Sequence, residues 1–140
     1  VEEVRRLADA GVDPGDVGVI AAYSAQVERV RSRLAASGVE GAHRATVDTV
    51  DSFQGGERDA VVVSFVRSND DGSSGFLEFP EEGPRRLNVA LTRARKRLVL
   101  VGDWDTLSAV SPDRSPENSC ADVYAALADD LAAAGRLRDA

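Results

Sequence analysis

The chain has 140 residues, of which 43% are hydrophobic and 29% are charged, and its formal net charge is −7. This composition predicts one globular domain, and the acidic balance argues against a general nucleic-acid binder, whose usual footprint is a basic face. No apolar run approaches the roughly 20 residues of a membrane-spanning helix, and the N-terminus has no signal-peptide pattern, so we expect no membrane contact. Cys120 and His43 are the only residues of their kinds. We therefore expect no internal disulfide, no metal site and a reducing, cytoplasmic location.

Hydrophobic periodicity and turn residues divide the chain into predicted helices and strands. In chain order we predict a helix over 1–10, a strand over 17–21, a helix over 24–36, strands over 45–50 and 60–66, a hairpin arm over 75–79, a helix over 86–95, a strand over 98–101, a helix over 103–110 and a helix from 115 onward. In the last helix, Val123, Leu127 and Leu131 are spaced to pack inward. We expect 1–13 to end a preceding segment, 14–110 to form the main domain and 111–140 to form a C-terminal loop and helix.

The predicted strands are apolar runs separated by helices. This alternation predicts an α/β fold, with a mostly parallel sheet and helices on both of its faces. Ligands in such folds bind at the carboxyl ends of the strands. Three places therefore become candidate sites: the segment after Ile20, the segment after Val50, and the two ends of the helix predicted over 86–95.

One of these places carries an unusual turn. The stretch SFQGGERDAVVVS puts two adjacent glycines and the charged trio Glu57, Arg58 and Asp59 directly before three valines. By itself this pattern is typical of an ordinary turn with solvated charges. A hydroxyl beside a flexible glycine turn also lets backbone N–H groups approach phosphates closely.

Three segments, taken together and in order, resemble a known family. They are IAAYSAQ at 20–26, TVDSFQGGERDAVVVS at 49–64 and RRLNVALTRARKRLVLVG at 85–102. They closely resemble motifs IV, V and VI of superfamily 1 helicases, most of all the 5′-to-3′ branch that includes the nonsense-mediated-decay RNA helicase and the replication helicase–nucleases. The resemblance implies a three-layer, P-loop NTPase-like fold, the second RecA-like domain of a two-domain motor.

The resemblance also implies roles for single residues. Tyr23 matches the aromatic residue that packs on adenine, Glu57 the acid at the ribose or phosphate end of the nucleotide, and Arg93 the catalytic arginine that reaches the γ-phosphate. Phosphoryl transfer is helped mainly by positioning and charge neutralisation, for which an arginine is suited. The other implied contacts are Gln26 and Gly55 for the nucleotide, and Thr49, Asp51 and Ser52 for the nucleic-acid backbone.

The chain has no GxxxxGK[ST] sequence and no acidic pair of the Walker B kind. The resemblance therefore implies that ATP and Mg²⁺ are shared with an N-terminal RecA-like domain of the same parent chain, which would hold the Mg²⁺. We expect this chain alone to be inactive. The implied nucleic-acid partner is single-stranded DNA or RNA, and the sequence does not separate the two.

Two alternatives remain open at this point. The first is a non-catalytic RecA-like module that binds a protein or nucleic-acid partner. The second is a nuclease of the parallel-sheet type, which needs clustered carboxylates and a lysine near strand ends. In the sequence, Asp48, Asp51 and Asp59 have no such lysine close by.

Overall fold

The structure of the protein, a computed structural model, describes residues 1–53, 56–65, 77 and 79–138. The helices and strands in chain order are α1 (Glu2–Asp9), β1 (Val17–Ala21), α2 (Ser24–Ala35), β2 (Thr46–Thr49), β3 (Arg58–Ser64), α3 (Gly83–Leu91), β4 (Ala94–Val101), α4 (Trp104–Leu107) and α5 (Ala121–Ala133). Short 3-10 turns lie at Pro14–Asp16, Ala42–Arg44 and Pro116–Asn118. Of the helices in this described part of the chain, none has both the length and the apolar character to cross a membrane.

The chain divides into two compact units. The first comprises residues 1–66 and 86–101, and the second comprises residues 67–85 and 102–140. The whole four-stranded sheet belongs to the first unit.

The sheet is parallel throughout, with the strand order β2-β1-β3-β4. At its centre, Val19 lies opposite Val47 on one side and Val62 on the other. All five residues of β1 are buried, as expected for a central strand that is covered on both faces. The prediction of an α/β fold with a parallel sheet is confirmed.

The main hydrophobic core of the first unit joins one face of the sheet to α1 and α2. Alternate residues of β1 point into it because side chains on a strand alternate between its two faces. The buried members of this core are Val4, Leu7, Val17, Val19, Ala21, Val27, Leu34, Ala42, Val47, Ala60 and Val62. Gly18 and Ile20 therefore belong to the opposite face.

The connection from β2 to β3 is unusually short. Parallel strands are normally joined by a crossover of a dozen or more residues, often a helix. Here residues 50–57 alone lead from the carboxyl end of β2, past β1, to the amino end of β3. The glycine-containing turn predicted from the sequence is this crossover.

The predicted helix over 86–95 is wrong at both ends. Helix α3 ends at Leu91, and β4 begins at Ala94, four residues before the predicted strand. The cause is tertiary pairing: Arg58 lies opposite Ala94, and Ala60 lies opposite Arg97 in the edge strand. A helical pattern in the sequence carries no information about this long-range ladder.

The second unit contains α4 and α5. The predicted final helix is divided in the structure, since a 3-10 turn at Pro116–Asn118 precedes α5. Val123, predicted to pack inward, is 38% exposed, whereas Ala121 and Tyr124 are buried. The hydroxyl of Tyr124 donates a hydrogen bond to the carbonyl of Leu77 at 3.2 Å. The hairpin arm predicted over 75–79 lies largely outside the described residues.

Candidate functional site

Two of the residues singled out from the sequence lie at the amino ends of neighbouring strands. Glu57 immediately precedes β3, and Arg93 immediately precedes β4. The backbone N–H of Arg58 donates to the carbonyl of Arg93 at 3.0 Å. This bond joins the end of the β2–β3 crossover to the turn that follows α3.

The guanidinium of Arg93 is held by its own helix end. Its Nε donates to the carbonyl of Val89 at 3.1 Å, and its Nη2 donates to the hydroxyl of Thr92 at 3.2 Å. Among the described residues, no carboxylate forms an ion pair with it. A guanidinium carries five N–H donors, so the bonds to these two neighbours orient the group and leave donors, including those on Nη1, for another acceptor.

The other basic residues around this turn behave differently. Arg95 lies 3.3 Å from a carboxylate oxygen of Glu57, and Lys96 lies 2.7 Å from one of Asp59. The hydrogen bond from Lys96 holds the pKa of Asp59 below its ordinary value, and the same bond raises the pKa of Lys96. Arg95 and Lys96 are therefore paired with acids at or just before the start of β3, whereas no acid in the described ranges pairs with Arg93.

A second group of the expected residues lies at the opposite, carboxyl edge of the sheet. Tyr23 follows β1 with an extended backbone, and its carbonyl accepts the first backbone bonds of α2. Gln26, in the first turn of α2, donates from Nε2 to the hydroxyl of Ser64 at 2.7 Å. Ser24 is the first residue of this helix, and no side chain caps its amino end.

The turn after β2 completes this edge. The hydroxyl of Thr49 donates to the hydroxyl of Ser52 at 3.1 Å, and the backbone N–H of Ser52 donates back to Thr49 at 3.3 Å. Asp51 is exposed and lies 3.4 Å from Nε of Arg86, at the start of the segment expected to carry Arg93. Gly55, also expected at the nucleotide, lies outside the described residues.

The structure thus separates the candidates into two groups. Tyr23, Gln26 and Thr49 lie at the carboxyl edge, whereas Glu57 and Arg93 lie at the amino edge. The rule that ligands bind at the carboxyl ends of parallel strands therefore accounts for the position of the first group and not for that of the second. The physical reason is the direction of the connections, because both the crossover and α3 deliver the chain to the beginning of a strand.

Comparison with known proteins assigns the family. Residues 1–105 match the AAA domain. The chain belongs to this family. It is 46% identical over 105 residues to the DNA replication ATP-dependent helicase/nuclease DNA2 of Bos taurus, 42% identical over 105 residues to DNA-binding protein SMUBP-2 of Rattus norvegicus, and 44% identical over 103 residues to the regulator of nonsense transcripts 1 homolog of Neurospora crassa.

These matches cover 71–75% of this chain but only 9–10% of each relative. The chain therefore spans about a tenth of the length of the curated relatives it matches. Their names, and the family match, make this AAA domain one of the helicase type with a P-loop NTPase-like fold. The matched span contains every candidate residue at both sheet edges.

The sequence analysis did not predict that the β2–β3 crossover of this AAA domain packs on Gly18 of β1. A Cβ added to Gly18 would lie 2.6 Å from Cζ of Phe53 and 3.2 Å from Cγ of Arg58. Phe53 is 4% exposed, and Arg58 reaches across to donate to the hydroxyl of Thr46 at 2.8 Å. A glycine inside an apolar strand pattern signals such a close approach, so Gly18 in VGVIA was the available clue.

The carboxylates of this AAA domain do not gather into one place. The prediction that no lysine lies near these aspartates is wrong for Asp59, because the ammonium group of Lys96 donates to its carboxylate. Asp48 and Asp51, however, lie at the other edge of the sheet, in and after β2. Within the described ranges, no three His, Cys, Asp or Glu side chains are arranged to hold a metal ion. The clustered carboxylates that the nuclease hypothesis requires are not formed by these three aspartates.

Proposed function

We propose that this chain is the second RecA-like domain of an ATP-dependent helicase or translocase of superfamily 1, carrying its motifs IV, V and VI. The observation that carries the proposal is the environment of Arg93. It is oriented by Val89 and Thr92, while the neighbouring Arg95 and Lys96 are paired with acids. An oriented guanidinium that pairs with no carboxylate in the part of the chain that the structure describes suits the recognition of an anion from outside the domain.

For Arg93, that anion is the γ-phosphate of ATP. An arginine supplied to the transferring phosphoryl group stabilises charge in the transition state and contributes mainly to turnover. The Val89 and Thr92 contacts reduce the rotamer freedom of the side chain before it meets the phosphate, which lowers the cost of positioning it. Arg93 is therefore the residue of this domain that we assign to catalysis.

The two edges of the sheet set the direction of the bound nucleotide. With adenine packed on Tyr23 at the carboxyl edge and phosphates at Arg93 on the amino edge, ATP lies along the strand direction. The strands rise about 3.3 Å per residue, so a five-residue strand such as β1 spans roughly 16 Å. Glu57 contributes at the ribose or phosphate end, and its exposed pair with Arg95 is of the kind that adds little stability and is readily exchanged.

The turn after β2 is assigned to the nucleic acid. Thr49 and Ser52 bring two hydroxyls and a backbone N–H together, and groups of this kind bind phosphate oxygens without reading sequence. The carboxylate of Asp51 repels a phosphate, so we assign it an indirect part: holding Arg86 beside the turn. The substrate is a single strand of DNA or RNA.

Within the described residues, no group of three or more His, Cys, Asp or Glu side chains is arranged to hold Mg²⁺. The proposal assigns Mg²⁺ and the phosphate-binding loop to the N-terminal RecA-like domain of the parent chain. ATP is then hydrolysed only where both domains meet, and this chain alone is inactive.

The test is nucleic-acid-stimulated ATP hydrolysis by the full-length parent, measured beside this chain alone. We expect activity in the parent and none in the chain. In the parent, Arg93→Ala should lower kcat by about 10² or more with a small change in KM. The matched control is Arg97→Ala, which removes an exposed arginine four residues further along.

Unchanged turnover in Arg93→Ala would remove this residue from the catalytic role. An equal loss in Arg97→Ala would show a general effect of charge rather than a phosphate contact. A parent without ATP hydrolysis would instead favour the non-catalytic binding module.

A further inference from the structure

We infer that Ser64, the last residue of β3, is a positioning residue that fixes the β1–α2 turn carrying Tyr23. This inference rests on the proposed function, in which Tyr23 packs on adenine. Ser64 does not need to touch the nucleotide in this role. It acts through two contacts, one to each side of the turn.

The first contact is through the backbone. Ser64 lies opposite Ala21 in the parallel ladder between β3 and β1. Ala21 is fully buried and ends β1, two residues before Tyr23. The ladder therefore fixes the point at which the chain leaves the sheet.

The second contact is through the side chain. The hydroxyl of Ser64 accepts a 2.7 Å hydrogen bond from Nε2 of Gln26, which lies 38 positions away in sequence. The backbone N–H of Gln26 in turn donates to the carbonyl of Tyr23 at 3.0 Å. Ser64 thus holds the chain on both sides of Tyr23, before it through Ala21 and after it through Gln26.

Nothing else in the described part of the chain holds the amide of Gln26. Its Oε1 is buried and has no hydrogen-bond partner. A buried amide that keeps one bond depends strongly on that bond, because losing it leaves both polar atoms unsatisfied. Without the Ser64 hydroxyl, the first turn of α2 would relax until water reached Gln26, and Tyr23 would move with it.

The test uses ATP hydrolysis by the full-length parent. Ser64→Ala should raise KM for ATP roughly three- to tenfold, the worth of one hydrogen bond, with kcat nearly unchanged because Arg93 lies at the other edge. Ser64→Thr keeps the hydroxyl and should retain the parental KM. Gln26→Leu breaks the same bond from the helix side and should raise KM at least as much, because the helicase resemblance also places Gln26 at the nucleotide.

The pathway through Tyr23 is tested by a double-mutant cycle. In a Tyr23→Ala background, Ser64→Ala should have no further effect on KM, because the ring that it positions is gone. Additive effects of Tyr23→Ala and Ser64→Ala on KM would overturn the inference. An unchanged KM in both Ser64→Ala and Gln26→Leu would also overturn it, as would a raised KM in Ser64→Thr.

The two proposals fail in different ways. A parent without ATP hydrolysis would end both. A parent that hydrolyses ATP and loses turnover in Arg93→Ala, yet keeps its KM in Ser64→Ala, would end only the inference about Ser64.

Discussion

Tyr124 shows how a single residue couples burial to ionisation. Its ring is among the largest fully buried side chains, and its hydroxyl donates to the carbonyl of Leu77. Desolvation raises the pKa of this phenol above its ordinary value, and the nearby thiol of Cys120 raises it further. Both the hydrogen bond and the apolar surroundings favour the neutral ring in the folded state.

We therefore expect the free energy of unfolding to fall at alkaline pH. Because the pKa of Tyr124 is raised in the folded state, the contribution of its neutral form to the free energy of unfolding is complete below the unfolded-state pKa of about 10. That contribution is lost as pH rises above this value. The limiting slope for one proton is about 1.4 kcal/mol per pH unit. Urea unfolding of the chain between pH 8 and 11 measures it.

Tyr124→Phe is the matched control for this pH dependence. It loses the hydrogen bond to Leu77 at every pH, but it carries no phenol to ionise. The difference in unfolding free energy between the two chains should be constant up to about pH 10 and then shrink. Parallel curves across the whole range would contradict the assignment.

At the scale of elements, the β2–β3 crossover is fixed by its packing on a glycine. Phe53 lies over Gly18, where a methyl group would approach Cζ of the ring to 2.6 Å. Gly18→Ala must therefore displace Phe53 and the turn that begins at Thr49. Overpacking of this kind typically costs about 1–3 kcal/mol, and urea unfolding of the chain measures it.

A second substitution separates steric conflict from loss of strand stability. In Phe53→Leu the distal ring atoms that contact Gly18 are absent. Gly18→Ala should therefore lower the free energy of unfolding less in the Phe53→Leu chain than in the unsubstituted chain. Contacting residues couple in this way, whereas distant ones add. An equal cost of Gly18→Ala in both backgrounds would show that the ring is not what the methyl meets.

The elements also show what the sequence could predict. The bounds of β1 and α2 follow almost entirely from a five-residue apolar run and a helical repeat, because both are local patterns. The division between α3 and β4 does not, since Ala94 to Arg97 become a strand only through pairing with β3. The inward face of α5 was misjudged for a similar reason: Tyr124 is buried by residues far away in sequence, such as Leu77.

For the whole molecule, the sequence singles out candidate residues but does not predict at which edge of the sheet each one lies. Tyr23 follows the carboxyl end of β1, whereas Arg93 follows α3 and lies at the amino end of β4, so the two residues lie at opposite edges of the sheet. The order of the motifs in the sequence does not predict these positions. The edge at which a residue lies depends on which end of a strand the connection that carries it reaches. This placement is what leads to the proposal that ATP lies along the strand direction.

The net charge of −7 leads to a prediction about salt. The logarithm of the affinity for a single strand falls linearly with the logarithm of the salt concentration. The slope is about −0.7 for each phosphate that a cation of the protein neutralises. The contacts proposed for Thr49 and Ser52 are uncharged and release no counterions. Ser52→Ala in the full-length parent should therefore weaken binding by the same factor at every salt concentration, leaving the slope unchanged and KM for ATP less affected.

Binding of a labelled single-stranded oligonucleotide, titrated at several salt concentrations, measures both quantities. Ser32→Ala, which removes an exposed hydroxyl from α2, is the matched control and should leave affinity and slope as they are. If Ser52→Ala lowered the slope, Ser52 would be acting by positioning a cation such as Arg86. Arg86 pairs with Asp51, the residue next to Ser52 in sequence. A parallel shift would instead show that this acidic domain holds the strand through neutral hydrogen bonds, and that the counterion release comes from cationic contacts other than Ser52.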